Sequence, residues 1–299
     1  MMKGEANMSQ YSDQIRRDFK AGDDIRDAGL TTPNDVARFD DIAYGDESPL
    51  QRLDVYRPRV AEGRRLPVIV SIHGGGWVYG DKERYQYYCM SLAQKGFAVV
   101  NFSYRLAPEW KYPAGIEDAN AVFTWLLVHA DEYGFDAGHV FAVGDSAGAH
   151  MLALYSCICT NPDYAARYDF APPKGFKPTA VALNCGAYIV DASGESSTST
   201  LMADLLPKGG TAEEVALVSP LAHITADFPP AFIMTSNDDF LKPQAPLLAA
   251  RLMELEVPFA LRFYGDKTTR LSHVFHCDMR SAEGARCNAE ECGWFKRFI

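Results

Sequence analysis

The chain lacks any apolar run near the roughly 20 residues that a membrane-spanning helix requires. Its opening residues, Met1 to Asn7, carry Lys3 and Glu5 and no apolar core. A secretory leader is therefore not expected, and the expected location is cytoplasmic. Positive charge is in deficit: 29 Lys and Arg stand against 39 Asp and Glu, a net charge of -10. That balance argues against nucleic acid and anionic membrane surfaces as partners. Cysteine is sparse and odd in number, seven in 299 residues, without zinc-like spacing. This fits a reducing compartment better than a disulfide framework. Cys157 and Cys159, two apart on an expected helix, point to different faces and are not expected to pair. No repeat, low-complexity tract or interdomain linker interrupts the chain.

What is present is an ordinary globular composition, 47% hydrophobic and 23% charged, in a length sufficient for one large core. Residues 9–28 read as a helix with Tyr11, Ile15 and Phe19 on one face, either packed on the core or serving as an arm of a lid. Two short alternating strands follow, at 42–44 and 53–56. Continuous apolar runs then occupy 68–72, 97–104, 140–143, 181–184, 231–235 and 259–264. Helical patterns at 82–95, 115–133, 147–160, 244–256 and 283–298 separate or follow them. That alternation predicts an α/β fold, a mostly parallel eight-stranded sheet with helices on both faces. The stretch from Asp191 to about Ser219 breaks the alternation and reads as a lid-forming insertion.

Two motifs carry chemistry. Gly144-Asp145-Ser146-Ala147-Gly148 lies between an apolar run and a helical stretch, the context in which G-x-S-x-G forms a nucleophile elbow. His73-Gly74-Gly75-Gly76-Trp77 ends another strand. Bare glycine backbone there can aim N–H groups at an oxygen that becomes negative in an acyl-transfer transition state. A phosphate cradle does not fit, since no G-K-[ST] follows and the glycines are contiguous.

Together with Tyr104-Arg105-Leu106-Ala107-Pro108-Glu109, followed by Tyr112-Pro113-Ala114 and Asp118, these motifs resemble the α/β-hydrolase family. The branch they resemble is that of hormone-sensitive-lipase-like and acetyl esterases, over roughly residues 40–299. The resemblance implies a helical arm at 1–38, and a catalytic domain at 39–299 with a small cap inserted near 190–219. It also implies partners for the serine in the order acid, then histidine. The acid falls to Asp239, because the family places it two residues before a leucine and Asp239-Phe240-Leu241 satisfies that spacing. Asp238 does not. The base falls to His273 in His273-Val274-Phe275, similar to the family's H-G-F with Val for Gly. His276 has no counterpart.

The implied enzyme is a serine carboxylesterase acting on short-chain, acetyl to butyryl, esters without a cofactor. Ser146 would be its nucleophile, with His273 and Asp239 completing the triad. Backbone N–H groups of Gly75, Gly76 and Ala147 would form the oxyanion hole. Trp77 would either line the acyl pocket or pack on the core. A zinc site built from His273, His276 and Cys277 is not expected, because Cys287 and Cys292 read as helix positions. Of the remaining histidines, His73 reads as a hydrogen bonder behind the oxyanion loop and His150 as lying behind the catalytic face. His129 and His139 read as near-surface and His223 as part of a linker. Asp145 reads as a hydrogen-bonding residue of the elbow. An amide-directed hydrolase, such as an arylformamidase or peptidase, and a non-catalytic ligand-binding relative stay open. So does homo-oligomerisation.

Overall fold

In the computed structural model, which describes residues 9–299, eight runs form strands: β1 Val36–Ala43, β2 Arg52–Pro58, β3 Leu66–Ile72, β4 Ala98–Phe102, β5 Phe135–Asp145, β6 Val181–Asn184, β7 Ala231–Ser236 and β8 Phe259–Tyr264. They make one sheet in the order β1-β2-β4-β3-β5-β6-β7-β8. The β1–β2 and β2–β4 pairs are antiparallel, and every later pair is parallel. The apolar runs are continuous because both faces are covered, yet the period of two persists beneath. Val68, Val70, Ile72, Val100 and Ala142 enter one core, while Ile69, Val99 and Phe141 enter the other.

The longer helices divide between those faces. After α1 (Gln10–Asp27) and α2 (Lys82–Ala93) come α3 (Ala114–Val128) and α4 (Ala147–Thr160). α3, α4 and the helix Ala245–Glu254 cover the first core, and α2 and the helix Ala282–Phe295 cover the second. α4 is buried on all sides, as a helix apolar around its circumference must be. From β3 the chain moves outward to β4, then crosses back to β5 on β3's other side. That reversal opens a crevice at the carboxyl ends of β3 and β5, the place where open α/β sheets bind ligands. Among the described residues, no helix is long and apolar enough to cross a membrane.

Some boundaries differ from those expected. β1 starts at Val36, well before the alternation at 42–44, because charged Arg38, Asp40 and Asp41 hide its pattern. The boundary drawn at 38/39 therefore falls inside a strand. β5 begins at Phe135 rather than 140, since that extension pairs with Leu66 and Pro67. α3 stops at Val128, with His129 as its C-cap. The insertion holds three short helices, Ser197–Thr200, Met202–Leu205 and Ala212–Leu217.

A buried charge cluster fastens the link between β4 and α3. Arg105 is 7% exposed and Asp118 1%. The Arg105 backbone N–H and Nε both donate to Asp118, at 2.7 and 2.9 Å, and Gln51 adds a third donor at 2.8 Å. Glu47 and Glu117 take the other guanidinium nitrogens. Removing one partner of a buried pair strands the other, at about 3–5 kcal/mol. Asp118→Ala is expected to fall at the low end, about 3 kcal/mol, because Arg105 keeps its outer carboxylates. A lower urea midpoint at unchanged m-value is the expected reading.

Candidate active site

Ser146 sits between β5 and α4 with φ 52 and ψ -117, a conformation that costs a non-glycine residue about 1–3 kcal/mol. The turn is held from several sides. The Ser146 N–H donates to the Asn184 carbonyl at the end of β6, at 2.9 Å, and the Ser146 carbonyl accepts from the His150 N–H at 3.1 Å. Gly148 lets the helix press against β3, for a Cβ there would lie 2.0 Å from the Ile72 carbonyl oxygen. Asp145 is buried beside the serine and accepts from the Tyr85 hydroxyl at 2.7 Å. The same hydroxyl accepts from the Gly74 N–H at 3.0 Å, so one tyrosine ties the elbow to the glycine loop. Burial pushes the Asp145 carboxyl up to about 6, against the opposing pull of the Tyr85 hydrogen bond.

The glycine loop turns sharply at Gly75, whose φ is 112 and whose Cβ, were there one, would fall 2.0 Å from the Tyr79 carbonyl oxygen. The Gly75 carbonyl accepts from the N–H groups of Val78 and Tyr79, and Gly75 and Gly76 each line a cavity that Ser146 also lines. Behind it, His73 stacks on Tyr104 at 4.0 Å and its Nδ1 donates to the Gly74 carbonyl at 2.7 Å. Burial lowers its pKa to about 4, so the ring is neutral at pH 7. Trp77 is buried as well as cavity-lining. Its Nε1 donates to His150 Nδ1 at 3.1 Å, and His150 Nε2 donates in turn to the Val218 carbonyl at 2.7 Å.

Asp239 follows β7 and is 2% exposed. Its Oδ1 lies 2.7 Å from His273 Nδ1 and also accepts the Leu241 N–H at 2.9 Å. Its Oδ2 accepts from the Thr235 hydroxyl at 2.7 Å. Burial works to raise this carboxyl, but the His273 hydrogen bond and charge, with the Thr235 and Leu241 donors, outweigh it and hold its pKa below the ordinary value. Asp238 turns outward to an ion pair with Arg270. Adjacent side chains diverge after a strand, so only one of the two aspartates reaches the imidazole.

Ser146 and His273 line two cavities, and Phe19 and Phe240 border both. One, of about 300 Å³, includes Asp18, Asp23, Arg26, Tyr79, Tyr85 and Val274. The other, of about 240 Å³, is more apolar, with Tyr11, Ile15, Trp77, Ala187 and Leu201. α1 roofs both. It is anchored by Ser9 and Ser12 to Asp204, by Arg16 to Glu109 and to the Val78 and Ala107 carbonyls, and by Asp23 to Tyr79. Phe240 escaped notice in the sequence, although its ring lies 4.4 Å from that of His273. It stands between Asp239 and Leu241, and the acid-to-leucine spacing drew attention past it. His276 is fully buried beside Cys277 rather than facing the cavity. Of the other histidines, His129 and His139 are half-exposed, and each pairs with a carboxylate on its own turn.

The BD-FAE family model matches residues 53–252. The chain belongs to the BD-FAE family. Esterase LipI of Mycobacterium tuberculosis is 30% identical over 258 residues, covering 78% of this chain and 76% of that one. Esterase LipQ of the same organism is 27% identical over 220 residues, covering 70% and 51%. Esterase B of Lactobacillus rhamnosis, solved inhibited by a tributyrin phosphonate, matches at 27% identity with a TM-score of 0.88, covering 99% of this chain and 96% of that one. The shared architecture is the α/β-hydrolase fold that the sequence implied. This BD-FAE chain spans about half the length of the curated relatives LipM and LipQ.

Behind the elbow of this BD-FAE protein lies a second buried acid. Glu291 accepts from the Tyr88 hydroxyl at 2.8 Å and from Asn184 Nδ2 at 2.6 Å, and Asn184 carries the carbonyl that holds the Ser146 N–H. Burial raises its pKa from 4.5 to about 7. A carboxyl whose folded pKa is raised binds its proton more tightly in the folded state, so stability falls as pH rises from about 4.5 to about 7. Glu291→Gln removes that dependence. The variant's urea midpoint relative to the parent's is expected to climb across this window and level off above it.

Proposed function

We propose that this BD-FAE chain is a serine carboxylesterase hydrolysing short-chain, acetyl to butyryl, esters through an acyl-enzyme. The observation that carries the reading is the 2.7 Å contact of His273 Nδ1 with buried Asp239, on a cavity that Ser146 also lines. With its Nδ1 proton held by Asp239, His273 presents Nε2 as the base. It takes the Ser146 proton as the hydroxyl attacks the ester carbonyl, then returns it to the leaving alcohol. Asp239 keeps the ring in that tautomer and stabilises the imidazolium. N–H groups of Gly75, Gly76 and Ala147 bind the oxyanion, at a helix N-terminus and a positive-φ glycine loop suited to negative charge. Water, activated by His273, then releases the acid. No cofactor takes part. That seven cysteines are free thiols supports a cytoplasmic location.

If these three residues act as a unit, their loss is not additive. Ser146→Ala and His273→Ala are expected to lower kcat by several orders of magnitude, and the double variant to be barely worse. Asp239→Asn is expected to lose up to about four orders, while Asp238→Asn and His276→Ala keep most activity. Steady-state kinetics on p-nitrophenyl acetate read all six. A well-folded Ser146→Ala protein with more than a few per cent of parental activity defeats the reading.

Cavity size supports the short-chain preference. Chambers of about 240 and 300 Å³ stand at or below the lower end of small-molecule sites, and α1 closes them from above. The butyryl-derived inhibitor bound by Esterase B is consistent with such chambers. Each methylene changes discrimination by about 1–3 kcal/mol, so kcat/KM is expected to fall in steps beyond C4 along a p-nitrophenyl ester series. Trp77→Ala, which enlarges the apolar chamber, is expected to move the optimum to longer chains. Faster turnover of C10 than of C4 by the parent protein contradicts the preference, and cleavage of an anilide control would redirect the reading to amides.

A further inference from the structure

Directly beneath the Asp239–His273 pair lies a thiol that the hydrolytic reading does not use. Cys185, at the end of β6, is 1% exposed. Its Sγ, one Asp239 carboxylate oxygen and a His273 ring nitrogen all lie within 4.8 Å of one another, which among the described residues is the one grouping of three such ligands. The Met234 thioether sulfur lies 3.7 Å from the Cys185 sulfur. The cluster is thus sulfur, nitrogen and oxygen on three different loops, with a second soft sulfur beside Cys185.

We infer that Cys185, His273 and Asp239 form a binding site for a thiophilic cation of the Zn²⁺ type, and that filling it switches hydrolysis off. The donor set decides the class of ion. Thiolate and imidazole select zinc-like ions over Mg²⁺ and Ca²⁺, which take oxygen. Tetrahedral zinc, with bonds of roughly 2.0–2.3 Å, spaces its ligand atoms roughly 3.3–3.7 Å apart. The three atoms lie within 4.8 Å of one another, and the 2.7 Å histidine–aspartate contact must open by roughly 0.6 Å or more to reach that spacing. Charge also balances. One dication meets one thiolate and one carboxylate, leaving a neutral unit in a buried place. The ion would enter over His273, the one ligand partly open to the cavity.

The proton count explains the inhibition. Binding releases the Cys185 thiol proton to water. The Nδ1 proton of His273 is displaced by the metal, and the neutral ring carries its proton on Nε2 instead. That nitrogen can then no longer accept the Ser146 proton. The inhibitory half of the inference rests on His273 being the base; the binding half does not.

The test uses the full chain, freed of metal by a chelator. Titration with Co²⁺ is expected to give a near-ultraviolet thiolate-to-cobalt absorption at one ion per chain. Zn²⁺ is expected to inhibit p-nitrophenyl acetate hydrolysis reversibly, with chelator restoring the rate. Cys185→Ser should abolish the absorption and raise the half-inhibiting Zn²⁺ concentration at least about tenfold, measured against its own metal-free rate. Cys277→Ser should leave both unchanged. Ser146→Ala should keep the cobalt absorption while losing hydrolysis, which separates failure of the metal site from failure of the catalytic reading. Should Cys185→Ser fold poorly, calorimetric titration of Ser146→Ala with Zn²⁺ still gives the stoichiometry. Absence of the cobalt–thiolate band in the parent overturns the inference. So does undiminished zinc sensitivity in Cys185→Ser, or equal inhibition by Mg²⁺.

Discussion

Two backbones meet where a side chain would keep them apart, and the site depends on that meeting. Gly148 brings the first turn of α4 against the carbonyls that end β3, at Ile72 and His73. The turn at Ser146 and the glycine loop are thereby neighbours, although more than seventy positions separate Ser71 from Ser146 in the chain. Parallel pairing of β3 with β5 sets their ends level, and the reversal of strand order leaves no crossover above them. The positive φ at Ser146 is tolerable only because hydrogen bonds from both sides over-determine the turn.

Much of what surrounds the serine is polar, buried and neutral. His73, His150 and His276 are each completely buried with pKa values lowered by burial to about 4, 4 and 3, so none brings charge to the site at pH 7. His150 illustrates the use. It accepts from Trp77 through one nitrogen and donates to Val218 through the other, joining the glycine loop, α4 and the inserted segment. Asp145 and Glu291 lie on the opposite face of the sheet end, each satisfied by a tyrosine hydroxyl. Such groups hold loops in one register because a lost partner would leave a buried polar atom unpaired.

The roof is made differently. α1 is polar along most of its length and joins the body through ion pairs and carbonyl contacts rather than through a wide apolar face. Tyr11 and Ile15 reach the core, while Phe19 meets Tyr79 and borders both cavities. Some of these ion pairs are exposed and worth little singly, while Ser12 reaches Asp204 in a buried contact.

Local pattern determined a good deal of this protein by itself. Apolar period and turn residues are short-range properties, so the six parallel strands, the long helices and the two glycine motifs were legible at nearly their true positions. Family spacing added Asp239 in preference to Asp238. Tertiary structure alone decided the rest. β1 was hidden by its charges until β2 paired with it. Phe240, Leu201 and the roof of α1 became cavity walls only when loops from distant positions converged. Cys185 lay in no motif, since its nearness to Asp239 and His273 depends on β6 and β7 being neighbours in the sheet. A sequence records which side chains a strand carries to its end, but the order of strands decides which of those ends meet.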